Sequence, residues 1–332
     1  VNCRAAEPMR VLLLMPDARI HRLSLGSVSL SFREAPLTLT TLAALVPAEL
    51  GAEIRVVDES IESIPFDEAF DLVGISCLTG TALRAYELAD HFRGSGALVI
   101  LGGVHVTLLP EEAAEHADAI VIGDAEDTWP QAVRDAVAGE LKPVYRGEPT
   151  TLADLPLPRR DLQKRGAYAM PQTVFATRGC RGTCDFCTVP ALRAGWRTRP
   201  VHDVIDEVRQ LPGRRFVFND VSLTEDRDYA LELFSGLVPL RKKWGGLSTV
   251  RIADDPEMLD VMKRSGCVYL LVGFESVANL GLRSMGKTFS DADRYPTVVA
   301  ELHDRGIIVQ GCFIFGLDSD THDVFAETVD RV

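Results

Sequence analysis

Long hydrophobic runs are missing from this chain: none approaches the roughly 18 apolar residues of a membrane span. No charged and apolar leader with a cleavage site opens it, which predicts a cytoplasmic protein. Basic charge is in deficit. The 35 Lys and Arg face 48 Asp and Glu, a net charge of −13, which argues against a nucleic-acid substrate needing a basic face. Phosphate-cradling glycines are absent where a nucleotide would want them. The text after the first strand-like run is Met15-Pro16-Asp17-Ala18-Arg19, so G-x-G-x-x-G is excluded there, and no P-loop occurs anywhere. Cysteine is sparse outside one loop. Cys3, Cys77, Cys267 and Cys312 are scattered, three of them in or beside apolar runs. That usage fits a reduced compartment and a metal site better than a disulfide framework.

What is present is enough for two domains: 332 residues, 46% of them apolar. Residues 1–8 read as a lead before Met9. From there the first half alternates short apolar runs with helical periods. Strands are predicted at 10–15, 53–58, 71–77, 98–102 and 118–122, and helices at 37–50, 81–92, 111–116 and 128–138. Pro36, Thr79-Gly80, and Pro110 with Glu111 and Glu112 mark helix entries. Five strands alternating with helices predict an α/β domain over 9–148 with a doubly wound parallel sheet. Such sheets take ligands beyond their strand C-termini. Asp17, Asp58-Glu59-Ser60, the stretch from Ser76 to Thr81, Gly102-Gly103-Val104-His105 and Gly123-Asp124-Ala125-Glu126 all fall there. A flavodoxin-like scaffold with turn glycines and no ligand is the plainer alternative.

Pro149, Pro156 and Pro158 punctuate a predicted linker over 149–172, with Tyr168 and Met170 near its end. A second β/α series fills 173–332. Its strands are predicted at 173–177, 214–219, 247–251, 269–274 and 307–315, with helices at 201–210, 226–238, 257–265 and 291–305. Between its first strand and first helix stand Cys180, Cys184 and Cys187. Gly179 and Gly182 weigh against a helix there, and a glycine-bearing loop lets three thiolates turn toward one metal centre. Arg178 and Arg181 favour the thiolate form. A structural zinc wants four ligands, so zinc would need a distant partner such as His202. On a four-iron cluster, three cysteines leave one iron open.

The C-x3-C-x2-C spacing, with Phe186 just before the third cysteine, resembles the radical S-adenosyl-L-methionine (radical SAM) superfamily. The resemblance implies a 4Fe-4S cluster on Cys180, Cys184 and Cys187. Its open iron would chelate SAM, and reduction would cleave SAM to a 5′-deoxyadenosyl radical. It also implies a partial (β/α)6 TIM-like barrel, of which five strands are legible and a sixth is missing, so the sequence is expected to be truncated at its C-terminus. The implied SAM-binding set is Phe186, Asn219, Asp220, Ser248, Arg251, Glu275 and Ser276. Arg251 is the candidate for the carboxylate of SAM, while Asp220 would meet its amino group or the substrate. Trp196 with Arg193 and Arg197 either closes over SAM or forms a surface loop.

The first half resembles the cobalamin-binding domain of the B12-dependent branch. Met15-Pro16, Pro36-Leu37, Gly74-Ile75-Ser76 with Thr79, Leu101 to Thr107, and Gly123-Asp124-Ala125-Glu126 carry the likeness. The implied cobalamin-binding residues are Asp17, Ser76, Thr79, Gly102, Gly103, His105, Thr107, Gly123 and Glu126. The corrin ring would lie on the strand ends and the nucleotide tail between the sheet and its helices. Asp124-Ala125 departs from the Gly-Glu-Gly-Glu of relatives, and Asp17 and His21 lack the spacing of Asp-x-His-x-x-Gly, so cobalt is expected without a protein histidine. Together these imply a cobalamin-dependent radical SAM enzyme, foremost a methyltransferase using methylcobalamin on an unactivated carbon. A non-methylating rearrangement or cyclisation is the alternative, and a cobalamin or metal carrier or sensor the non-enzymatic one. A tRNA methylthiotransferase would need three more cysteines in the first half, which has two. A small-molecule substrate and an external one-electron reductant of flavodoxin or ferredoxin type are the implied partners; the oligomeric state is not legible.

Overall fold

A computed structural model describes residues 8–17, 22–25, 28–164 and 166–331. Cys3, His21 and the lead up to residue 7 lie outside the described residues. The chain divides into two compact units, Val1–Thr150 with Asp154–Pro171 and Thr151–Ala153 with Gln172–Val332.

The first unit is organised on β1 (Arg10–Met15), whose Val11, Leu12, Leu13 and Leu14 are all fully buried. Such a run, apolar on both faces, belongs in a parallel sheet covered by helices on each side. After it come β2 (Arg22–Leu25), β3 (Val28–Glu34), α1 (Thr38–Leu45), β4 (Glu53–Asp58), β5 (Leu72–Ser76), α2 (Ala82–Gly94) and β6 (Leu98–Gly102). The unit continues with α3 (Val104–Leu108), α4 (Pro110–Ala114), β7 (Ala119–Gly123), α5 (Thr128–Ala138), β8 (Val144–Gly147) and β9 (Tyr168–Met170). Six strands pair in parallel in the order β4-β1-β5-β6-β7-β8. The first five follow the flavodoxin-like order, which reverses direction between β1 and β5. Strand periodicity splits the core: Leu12, Leu14, Val73 and Ile75 join the α2 face, and Val11, Leu13 and Leu72 join the α1 and α5 face.

Differences from expectation have local causes. Helix α1 stops at Leu45, not at residue 50, because Pro47 forces Val46 into extended backbone (ψ 127°). Strand β8 is not expected from the sequence, since Val-Tyr-Arg-Gly buries only Tyr145 and carries no apolar run. The stretch 149–172 is not all linker: Tyr168–Met170 pairs with β3, and the Tyr168 hydroxyl donates to Asp58 at 2.8 Å.

The second unit holds β10 (Thr173–Val174), β11 (Thr177–Arg178), α6 (Thr188–Ala191), β12 (Arg197–Thr198), α7 (Val201–Gln210), β13 (Arg215–Phe218), α8 (Arg227–Leu237) and β14 (Lys243–Thr249). These are followed by α9 (Pro256–Ser265), β15 (Cys267–Glu275), α10 (Asn279–Ser284), α11 (Tyr295–His303), β16 (Ile308–Phe313) and α12 (Val324–Arg331). Five strands run parallel in sequence order, β10-β13-β14-β15-β16, as in a β/α barrel series. An aromatic stack of Phe218, Trp244 and Phe234 fills its core, and the Trp244 indole donates to Ser265 at 2.9 Å. The predicted first strand is broken: β10 ends after two residues, and Thr177–Arg178 pairs antiparallel with Arg197–Thr198. The third begins earlier than expected, at Lys243, because Gly245-Gly246 lies inside the strand; a Cβ on Gly245 would meet the Tyr269 ring at 2.8 Å. Among the described residues no helix is long and apolar enough to cross a membrane.

Candidate functional site

Strand β11 feeds directly into the cysteine loop. Gly179 has φ 87° and packs so tightly that a Cβ would overlap the Gly195 carbonyl oxygen, so only glycine makes this turn. Cys180, Cys184 and Cys187 are free thiols and partly buried. The Gly182 N–H donates to Cys180 Sγ at 3.2 Å, and the Cys187 N–H to the Cys184 carbonyl at 3.1 Å. Burial pushes the Cys180 thiol up to about 11 and raises Cys184 as well. A nearby cation is what such thiols need to become thiolates. Phe186, just before the third cysteine, is 45% exposed.

Two other segments grip this loop. One is the turn between β13 and α8. Glu225 Oε1 accepts from Ser222 Oγ at 2.7 Å and lies 3.4 Å from Cys180 Sγ. The Arg181 guanidinium donates to the Glu225 carbonyl at 3.0 Å and stacks 4.6 Å from the Trp196 ring centre. Trp196 Nε1 in turn donates to the Ser222 carbonyl at 3.2 Å. The other segment follows α10, where the Asp185 N–H donates to the Met285 carbonyl at 3.1 Å. Two residues on, Lys287 is 4% exposed and donates to Glu275 Oε1 and to the Gly273 carbonyl, both at 2.7 Å.

Glu275 ends β15 at φ 67°. Beside it Ser276 is buried, its hydroxyl accepting the Ala278 N–H at 3.1 Å. Ser248 is buried near the end of β14 and donates to the Thr249 carbonyl at 3.3 Å. Arg251 lies past the strand and is exposed, stacked 4.2 Å from the Phe289 ring centre, a ring that Lys287 also approaches at 5.6 Å. Asn219 is exposed, its N–H extending the ladder to the Val174 carbonyl. Asp220 is turned inward. It is 1% exposed and aimed into the backbone, accepting from the Ala176 N–H at 2.9 Å, the Thr177 N–H, and Thr177 Oγ1 at 2.7 Å. Both carboxylate oxygens thus meet donors of the chain itself.

In the first unit the strand ends carry glycines at close approaches. Gly103 has φ 104°, and a Cβ there would lie 2.6 Å from the Cys77 carbonyl oxygen and 3.1 Å from Ser76 Oγ. At Gly123, φ 82°, a Cβ would overlap the Gly147 carbonyl. Thr107 joins these two glycines, donating to the Gly103 carbonyl and accepting the Gly123 N–H, each at 3.0 Å. Gly102 is partly exposed at the end of β6 and Glu126 partly buried before α5. The Asp17 N–H donates to Glu59, which pairs with Arg84 at 2.6 Å. His105 is 3% exposed with both ring nitrogens engaged, by Tyr86 at 3.0 Å and Thr79 at 3.2 Å.

Family models divide the chain in the same way: the radical SAM superfamily matches residues 174–332 and the B12 binding domain residues 9–133. The chain is 32% identical over 336 residues to the bacteriochlorophyllide d C-12(1)-methyltransferase of Chlorobaculum tepidum, covering 97% of this chain and 72% of that one. It belongs to the cobalamin-dependent radical SAM enzymes. The anaerobic magnesium-protoporphyrin IX monomethyl ester cyclase of Cereibacter sphaeroides is 26% identical over 274 residues, 70% of this chain and 44% of that one. The radical SAM methyltransferase TsrM of Kitasatospora setae matches in fold, with a TM-score of 0.75 at 17% identity over 97% of this chain and 70% of that one.

The cofactors of this radical SAM enzyme are a 4Fe-4S cluster, SAM and cobalamin. Three thiols on one glycine-bearing loop are the donor set such a cluster takes. Among the described residues no three His, Cys, Asp or Glu side chains, the loop cysteines included, are grouped around a single ion position. His202, the alternative fourth zinc ligand, points outward, 3.3 Å from Asp203. On the cobalamin side, the glycines at the ends of β6 and β7 serve close packing within the unit, since a Cβ on Gly103 or Gly123 would meet the chain's own carbonyls. The slot for the nucleotide tail is less free. Trp129 is buried on the α1 and α5 face against Gly74, its indole donating to the Leu42 carbonyl at 3.0 Å, and a tail on that face must share it with this ring. Lys287, Glu225 and Phe289 are not marked in the sequence: each sits in a mixed polar stretch with no spacing to single it out.

Proposed function

We propose that this enzyme transfers a methyl group to an unactivated carbon of a small molecule, with methylcobalamin as the proximal donor. The observation that carries this reading is the 32% identity, along 97% of the chain, to a C-methyltransferase. When bound, the cluster, SAM and cobalamin supply a one-electron cleavage of SAM and a transferable methyl group. The chain's own part is to hold and shield them. Cys180, Cys184 and Cys187 would hold three irons. The Lys287–Glu275 pair, Ser248 and Arg251 would furnish polar groups toward SAM, with Phe186 and Phe289 as its apolar walls. Ser76, Thr107 and the glycines at 102, 103 and 123 would border the corrin, and cobalt would receive no histidine from His105. An external reductant of flavodoxin or ferredoxin type would deliver the electron, in the cytoplasm. The C. tepidum relative acts on a bacteriochlorophyllide; for this chain the substrate class is a small molecule with an inert carbon.

The test is anaerobic turnover with SAM, reductant and cobalamin. Methyl transfer predicts 5′-deoxyadenosine and S-adenosylhomocysteine formed together. Deoxyadenosine alone would favour the cyclisation reading, which the likeness to a cyclase keeps in view.

A further inference from the structure

The parallel ladder between β10 and β13 pairs Thr173 with Val217 and Val174 with Phe218, and Asn219 adds one more bond to the Val174 carbonyl. Then the ladder stops. The chain must leave the sheet here to become β11 and the cysteine loop, which strands the N–H groups of Ala176 and Thr177. A buried N–H without a partner is costly. Asp220, the next residue of the opposite strand, reaches across and receives both, together with the Thr177 hydroxyl. One carboxylate therefore stands in for the missing strand. Below it the bend is backed by a frame of buried Arg199 and Glu207 and half-buried Tyr229. Arg199 pairs with Glu207 at 2.6 Å and donates to the Phe175 carbonyl at 2.9 Å, while the Tyr229 hydroxyl is shared between the Ala176 and Arg199 carbonyls. The Thr177 hydroxyl, which donates to Asp220, also lies 3.1 Å from the Ser222 carbonyl, at the turn that grips Arg181 and Trp196.

We infer that Asp220 is a positioning residue of the iron–sulfur site: by capturing Ala176 and Thr177 it sets the angle at which the chain enters the cysteine loop, and so the placement of Cys180. It acts through the loop and touches no cofactor. The inference rests on the cluster assignment of Cys180, Cys184 and Cys187.

The test uses the full chain, reconstituted without oxygen, in three variants. Asp220→Asn puts an amide N–H₂ where donors already converge. It is expected to lower iron and sulfide content, to speed iron loss to a chelator about 10-fold, and to change the EPR line shape of the reduced cluster. Corrinoid uptake, read by absorbance, stays at the parent level. Thr177→Val, which loses only the hydroxyl donor, moves the same readouts less; Thr177→Ser, which keeps it, restores them. An Asp220→Asn protein with the parent's iron content, chelator rate and EPR signal would overturn the inference. So would Thr177→Val and Thr177→Ser variants that behave alike, and this pair decides the matter if Asp220→Asn does not fold. Absence of iron and sulfide from the parent protein would instead sink the cluster assignment.

Discussion

The two units shape their strand ends with a different balance of means. In the first, backbone presses on backbone at Gly103, Gly123 and Gly147, and the missing side chains are the main device. In the second, past one such turn at Gly179, side chains do most of the holding: Asp220 on the bend, Glu225 and Arg181 on the turn, Lys287 on Glu275. The contrast suits three thiols, which need a loop held in one conformation by many short bonds. It also predicts different failure. Crowding should break the first unit, and unpairing should break the second.

The largest effect should follow from the thiols themselves. Changing Cys180, Cys184 or Cys187 to Ser should abolish the brown iron–sulfur absorbance and deoxyadenosine formation while corrinoid binding persists. If corrinoid binding fell with it, the two devices would not be independent. Next is Lys287→Met, which strands the buried Glu275 carboxylate. Breaking such a pair costs about 3–5 kcal/mol, read as a lowered chemical-denaturation midpoint of the second unit; the double change with Glu275→Leu should recover most of it. Crowding the first unit should cost less. A Cβ at Gly147 would overlap the Asp124 carbonyl and one at Gly74 would lie 2.8 Å from the Trp129 ring, so either Gly→Ala change should cost about 1–3 kcal/mol and weaken corrinoid binding without lowering iron content.

The last effect concerns pH. Burial raises the Asp220 carboxyl from 3.8 to about 7, against the pull of its donors. Between those values the folded state keeps a proton that the unfolded chain has released. Stability from this group is therefore complete below about pH 4, falls as pH rises to about 7, and is flat above. Thermal melts of Asp220→Asn across that window should lose this slope.

Much of the fold is legible in the sequence, the candidate site is marked there by local signals, and the limit has a physical cause. Cys180, Cys184 and Cys187 lie within one short loop, and Gly103 and Gly123 announce positive φ by being glycine, so their signals are local. Asp220 stands out as a polar residue at a strand end, but its partners are 43 and 44 residues away, and only the pairing of β10 with β13 brings them together. Lys287 and Glu275 are likewise joined by the fold across 12 positions. His105 likewise meets Tyr86 of α2, 19 residues upstream, only through the fold. Strand β8 and the pairing of β9 with β3 are tertiary outcomes of short, weakly apolar segments.

Glu275 carries one more lesson. At φ 67° it occupies backbone where a glycine would rest without penalty, at a handicap of about 1–3 kcal/mol. A laboratory selection that rewarded heat resistance alone would therefore drift toward glycine at 275 and an apolar residue at 287. The survivors would be sturdier proteins without the Lys287–Glu275 pair, and their melting curves would give no warning of its loss.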